Sequence, residues 1–195
     1  MSLAGLRDHT VTGLLSNMLA ELVEGEFVQM RPQNLSLELY LRKTFLKTAS
    51  LLRNAARAAA VLSDPGNAAA IETASAYGEA LGMAFQIVDD VLDITSDATG
   101  KAQNADLAAG IVTAPLLFAA ERRPELLPLF SRGFAGEGDP ALALRLLGET
   151  DGVARASALA ASYAEAARVA LARLPASHSR TVLDHLAQRV LTRRH

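Results

Sequence analysis

The 195-residue chain contains no cysteine. That excludes a disulfide framework, a thiol nucleophile and cysteine-ligated zinc. Neither sign of charge dominates: 19 Lys and Arg face 21 Asp and Glu, for a net charge of −2. A chain so balanced offers no electrostatic case for nucleic acid or for an anionic membrane surface. No apolar run approaches the length needed to span a bilayer. Residues Met1 to Arg7 show neither a secretory apolar core nor an Arg/Ser-rich transit peptide, so the expected location is the cytoplasm or an organellar interior. The four histidines, at positions 9, 178, 185 and 195, have no metal-ligand spacing, and His178 and His185 read as surface residues. There is no P-loop, nucleophile elbow, dinucleotide fingerprint or internal repeat.

What is present is apolar and helix-forming. Half the residues are hydrophobic and only 5% are aromatic, with alanine and leucine dominant, which suits packed helices more than sheets. The length fits one domain, residues 1–195, with enough chain for a sizeable core. Val11 to Met30 reads as an amphipathic helix, with Leu14, Leu15, Met18, Leu22 and Val23 at helical spacing and Arg31-Pro32-Gln33-Asn34 ending it. Its Glu21, Glu24, Glu26 and Gln29 invite a metal but read as a solvated polar face. Ser36 is a cap for a helix running to about Leu62, where Ser63-Asp64-Pro65-Gly66 stops it. Asn67 opens a central helix that continues to about Asp97. Gly78 and Gly82 lie four apart within it, for close packing of a neighbouring helix or for room beside it. Pro124, Pro128, Gly136, Gly138 and Pro140 punctuate short helices, and Asp139-Pro140 reads as an N-cap and first-turn pair. Gly152 to Leu174 and Arg180 to Thr192 are the last two predicted helices, followed by a basic Arg193-Arg194-His195.

Within the central helix lies the run Gln86-Ile87-Val88-Asp89-Asp90-Val91-Leu92-Asp93. Asp89 and Asp93 fall one turn apart on one face, with Gln86 a turn below. Three ionised acids on so apolar a helix repel one another and are costly to desolvate. A hard divalent cation relieves that repulsion, and magnesium keeps waters and substrate phosphates in its shell. Periodicity alone leaves this reading level with a solvated charge cluster. Upstream, Lys43 and Lys47 are one turn apart, as are Thr44 and Thr48. A lysine facing inward there requires an anion, and without one both would snorkel to the surface.

Gln86-x-x-Asp89-Asp90-x-x-Asp93, preceded by Gly82-Met83-Ala84-Phe85, resembles the second aspartate-rich motif of the trans-isoprenyl diphosphate synthases. The likeness continues through Thr99-Gly100-Lys101 and Asp106-Leu107-x-x-Gly110-x-x-Thr113-Ala114-Pro115-Leu116-Leu117. Lys43-Thr44-x-x-Lys47-Thr48-Ala49 resembles the family's lysine-threonine segment, and the wording is nearest to solanesyl-type long-chain synthases. The resemblance implies an all-α, isoprenoid-synthase-type helical bundle that lacks the N-terminal helices, and a magnesium-dependent transfer of an allylic prenyl diphosphate onto isopentenyl diphosphate. It assigns metal binding to Asp89, Asp90 and Asp93, and catalytic or substrate-binding roles to Lys47, Thr48, Gln86 and Lys101. Lys101 also has a plainer reading, as a cation at a helix C-terminus, and Lys43 is an outer candidate. Many relatives carry a lysine where this chain has Ile111, a change that solanesyl-type members tolerate.

The family's first aspartate-rich motif and the residues that bind isopentenyl diphosphate have no counterpart in these 195 residues. We therefore expect roughly the C-terminal half to two-thirds of a synthase, with little or no turnover by itself and a homo- or heterodimeric partner. A non-catalytic subunit paired with an active synthase is the alternative. A terpene cyclase is disfavoured, because no N-D-x-x-S-x-x-x-E motif is present.

Overall fold

The computed structural model describes residues 8–29, 35–95 and 104–193, which form helices and turns with no strand among them. The chain begins with α1 (His9–Gln29), α2 (Leu37–Thr44) and α3 (Ser50–Ser63). A five-residue π-turn, Phe45–Ala49, joins α2 to α3. The long α4 (Ala68–Thr95) follows, then the short α5 (Ala105–Ala108), α6 (Ala114–Ala120), α7 (Leu126–Ser131) and α8 (Asp139–Gly148). The chain closes with α9 (Gly152–Leu171) and α10 (His178–Thr192).

Local chemistry sets the helix starts. Ser36 Oγ accepts from the Leu39 N–H at 3.1 Å, and Asn67 Oδ1 accepts from the Ala70 N–H at 3.0 Å. Each satisfies one of the amides left open in a first turn. Ser177 does the same for Arg180, which starts α10 at His178, two residues earlier than the sequence suggested. Asp139 corrects another reading. Gly138, at φ 80°, occupies the cap position, and the Asp139 carboxylate instead binds Arg132 through Nε (2.6 Å) and Nη2 (2.7 Å). It also accepts from the Gly136 N–H at 2.9 Å, so a forked guanidinium and a loop amide take the place of the helix amide it was expected to cap.

α4 is the axis of the fold and packs on α3 and α9. Toward α9 it meets a stripe of alanines, Ala156, Ala160, Ala164 and Ala167, all fully or almost fully buried. Toward α3 it offers its own glycines. A Cβ on Gly82 would lie 2.5 Å from Ala49 Cα, and one on Gly78 would lie 2.5 Å from the Leu52 carbonyl oxygen. Close helix packing therefore accounts for both glycines, because an added methyl would meet backbone rather than a side chain able to move. A second apolar cluster, built on Leu116, Leu126, Phe130 and Leu147, joins α6, α7 and α8 beneath the C-terminal end of α4.

The predicted helix from Ser36 to Leu62 is interrupted where Ser50 N–H bonds Phe45 O, the wider loop of a π-turn. Such bulges collect at functional sites, and this one carries Lys47 and Thr48. On α1, Leu14 is buried as expected, but Val23 is exposed, in line with Leu19 and Phe27. The expected helix end at Arg31 to Asn34, the Thr99-Gly100-Lys101 segment and the Arg194-His195 pair lie outside the described residues.

Candidate functional site

The last two turns of α4 point their polar groups in different directions. Asp90 faces inward and is 4% exposed. Its Oδ2 accepts from the Tyr40 hydroxyl at 2.6 Å and its Oδ1 from Gln86 Nε2 at 2.9 Å. Burial pushes its carboxyl up to about 6, and those two hydrogen bonds hold it from rising further. Tyr40 in turn is kept protonated well above the usual phenol range, by burial first and then by the Asp90 charge.

Gln86 carries this chain of contacts onward. Its amide oxygen accepts from Thr48 Oγ1 at 2.9 Å. With the Thr48 proton spent on Gln86, the hydroxyl presents lone pairs alone to the space beside it. Tyr40, Asp90, Gln86 and Thr48 are thus one hydrogen-bonded line that ties α2 and the π-turn to α4.

Asp89 and Asp93 are held differently. Asp89 is half-exposed and accepts from Arg193 Nη2 at 3.2 Å. That guanidinium also donates to the Phe85 carbonyl at 2.7 Å and lies 3.8 Å from the centre of the Phe85 ring. Asp93 accepts from the backbone N–H groups of Ala105 at 3.0 Å and Asp106 at 3.3 Å, so it caps α5. The Asp106 carboxyl is pushed up, by burial first and next by the Asp93 charge.

The two lysines enter from α2 and the π-turn. Lys47 Nζ meets Glu26 and the Gln29 side-chain oxygen, each at 2.9 Å. Gly25 allows that approach, since a Cβ there would lie 2.6 Å from Lys47 Cγ. Glu24 and Glu26 of α1 are exposed, as a solvated polar face should be, and its acids are also paired: Glu24 with Arg42, Glu26 with Lys47, and the less exposed Glu21 with Arg53 and Asn54. Lys43 lies 5.5 Å from the Tyr40 ring centre.

These groups converge on a polar cavity of about 180 Å³, whose walls include Lys43, Lys47, Thr48, Gln86, Asp90 and Asp106. An apolar cavity of about 350 Å³ adjoins it and shares Gln29, Lys43 and Ile111. Of the residues singled out in the sequence, Lys47, Thr48, Gln86 and Asp90 thus share one cavity. Asp89 and Asp93 lie outside its lining, and Lys101 is outside the described residues. Tyr40 and Arg193 were missed as site residues. Tyr40 had a signal, since positions 40, 43, 44 and 47 follow the i, i+3, i+4, i+7 pattern of one helical face. Arg193 had none beyond being basic.

Among the described residues no three acids or histidines gather around one point. The donor set nevertheless suits a hard cation that arrives with its own phosphate ligands. Asp89, Asp93 and Asp106 are oxygen donors, Asp93 and Asp106 repel one another, and magnesium needs only one or two carboxylates when a phosphate completes its shell.

Residues 1–144 match the polyprenyl synthetase family. A probable mitochondrial hexaprenyl pyrophosphate synthase of Neurospora crassa is 42% identical over 205 residues, covering 99% of this chain and 45% of that protein. A prenyl transferase of Synechocystis is 43% identical over 198 residues, covering 99% of this chain and 61% of that protein. Among solved structures, the apo form of an Arabidopsis medium/long-chain prenyl pyrophosphate synthase superposes with a TM-score of 0.90 at 36% identity, over 99% of this chain and 68% of that one. A Caulobacter crescentus polyprenyl synthase, complexed with calcium and isoprenyl diphosphate, gives 0.87 at 32% identity, over 98% and 61%. The chain spans about half the length of the curated relatives it matches. With Gln86 and Asp90 of the acid run and the lysine-threonine segment lining one cavity of a helical fold, and with the family match over residues 1–144, the chain belongs to the polyprenyl synthetase family.

Proposed function

We propose that this chain supplies the allylic-diphosphate half of a trans-polyprenyl diphosphate synthase, read as one domain over residues 1–195. In that reaction the allylic C–O bond breaks and its electron pair leaves with diphosphate. The isopentenyl double bond attacks the resulting cation, and loss of a proton restores an alkene. The observation that carries the reading is one polar cavity in which two lysines, a lone-pair-presenting Thr48 hydroxyl and carboxylates meet, closed by a Thr48–Gln86 bond across 38 residues of chain.

Each residue has a physical task in this reading. Lys47 neutralises charge on the leaving diphosphate once its pair with Glu26 opens. The Thr48 oxygen faces the developing cation, and Gln86 fixes its rotamer. Asp90 fixes Gln86 from behind, with Tyr40 holding its second oxygen. Asp89, once released from Arg193, and Asp93, once released from the α5 amides, are the carboxylates that would turn toward a cation, Asp90 being buried against Tyr40 and Gln86. Those two carboxylates would hold magnesium, which would supply charge neutralisation for a departing diphosphate. Lys101 is kept as a proposed diphosphate contact on resemblance alone.

Electrostatic stabilisation of departing charge is the main catalytic term available, and one carboxylate wall provides part of it. The 195-residue chain is therefore expected to bind substrate analogues without normal turnover, and to act with a second subunit. The exposed Leu19, Val23 and Phe27 of α1 supply an apolar stripe suited to such a subunit. No described helix is long and apolar enough to cross a membrane, and the mitochondrial names of some relatives favour an organellar interior.

Calorimetric titration with a prenyl bisphosphonate tests the proposal. Binding that needs magnesium and is lost in Asp89→Ala is the expected result. Binding indifferent to magnesium, or undiminished in Asp89→Ala, overturns it.

A further inference from the structure

The two lysines of the site are in unlike states. Lys47 is committed, with Glu26 and Gln29 both 2.9 Å from its ammonium. Lys43 has no carboxylate within ion-pair distance among the described residues, and rests against the Tyr40 ring at 5.5 Å. Its surroundings press on its charge, since burial lowers its pKa most, while the more distant Asp90 and Asp106 favour the charged form and Lys47 opposes it. Beside it, the Thr44 hydroxyl is 1% exposed, lines the same polar cavity and has only a loose contact with the Tyr40 hydroxyl. A buried hydroxyl so weakly paired gains from an acceptor that enters the cavity.

Position adds to state. Lys43 is in the wall of both cavities, so its head group stands where polar space meets apolar space. An anion entering from either side reaches this ammonium without breaking an ion pair. To reach Lys47 it must first displace Glu26.

We propose that Lys43 is a diphosphate-binding residue of this site, with the Thr44 hydroxyl beside it, and that it meets the anion before Lys47 is released from Glu26. This deepens the function proposed above and rests on it. The chemical class bound is a diphosphate, taken by a point charge and a neutral donor rather than by a guanidinium fork.

Titration of inorganic pyrophosphate with magnesium into the 195-residue chain tests it, across wild type, Lys43→Gln, Lys43→Arg, Lys47→Gln and Lys43→Gln/Ile111→Lys. Lys43→Gln is expected to weaken binding at least tenfold, and more than Lys47→Gln does. Lys43→Arg should keep most of the affinity. Ile111 lines the same cavity, so Ile111→Lys should restore part of what Lys43→Gln loses, a gain that misfolding cannot produce. If Lys43 is only a counter-charge for Asp90 and Asp106, Lys43→Gln will lower the melting temperature and leave pyrophosphate affinity within twofold, which overturns the proposal. A wild-type chain that binds no pyrophosphate overturns the site reading and this inference together. Binding by the wild type that Lys43→Gln matches overturns this inference alone.

Discussion

The middle of α4 and its C-terminal end are one helix under two regimes. From Tyr77 to Ala84 nearly every residue is buried, between the alanines of α9 and the backbone of α3. From Gln86 to Asp93 every polar side chain is instead held by a group from another segment: Thr48, Tyr40, Arg193 and the first amides of α5. The middle is closed by shape. The end is closed by hydrogen bonds and ion pairs that a metal-bound diphosphate can exchange for its own. A single helix thus supplies the rigid scaffold and the exchangeable site.

The largest expected effect lies in the middle. Gly82→Val would drive a branched side chain into Ala49, and overpacking of that kind should cost about 3 kcal/mol or more in urea unfolding. A Gly82→Val chain as stable as wild type would mean that α3 and α4 are not locked as described.

Next comes Asp90, at the boundary of the two regimes. Its carboxyl titrates at about 6 when folded, against an ordinary value of about 3.9 when unfolded. The native state then holds the proton more tightly, so this group's contribution is full below the unfolded value and is lost as pH rises through 6. Two units correspond to about 3 kcal/mol, lost between pH 4 and pH 7 relative to Asp90→Asn. Burial raises that value first, the hydrogen bonds from Tyr40 and Gln86 oppose it, and nearby Asp106 and Lys43 add smaller effects of opposite sign. Unfolding curves for the two proteins that run parallel from pH 4 to pH 7 would contradict the buried placement.

At the exchangeable end, Asp93→Asn should weaken magnesium-dependent bisphosphonate binding about tenfold, near 1.4 kcal/mol, while changing the melting temperature little. A large loss of stability with intact binding would make Asp93 only the cap of α5. The smallest effect is a gain. Arg193→Gln releases Asp89 from its internal cation, and manganese affinity should rise severalfold. A fall in affinity would show Arg193 positioning Asp89 rather than competing for it.

Much of this was legible in the sequence wherever the cause was local. Ser36 and Asn67 cap as their side chains dictate, and Gly78 and Gly82 mark a close approach. The central helix and its acid run follow from the hydrophobic pattern around Asp89, Asp90 and Asp93. The π-turn at Phe45–Ala49 was not legible, because one extra residue in a long apolar helix leaves the pattern smooth. Nor were the partners of the acids. Tyr40 and Asp90 are 50 residues apart and Arg193 and Asp89 are 104 apart, distances that only the fold closes. Asp139 illustrates the same limit: Asp-Pro is a sound local signal for a cap, overridden by an arginine that the α7–α8 turn brings within reach.

The most direct test asks whether metal and diphosphate bind as one unit. Manganese affinity, read by electron paramagnetic resonance with and without saturating pyrophosphate, should rise at least tenfold when pyrophosphate is present, and that rise should vanish in Asp89→Asn/Asp93→Asn. Manganese and pyrophosphate that bind independently, or a rise that survives the double substitution, would contradict the exchangeable carboxylate end.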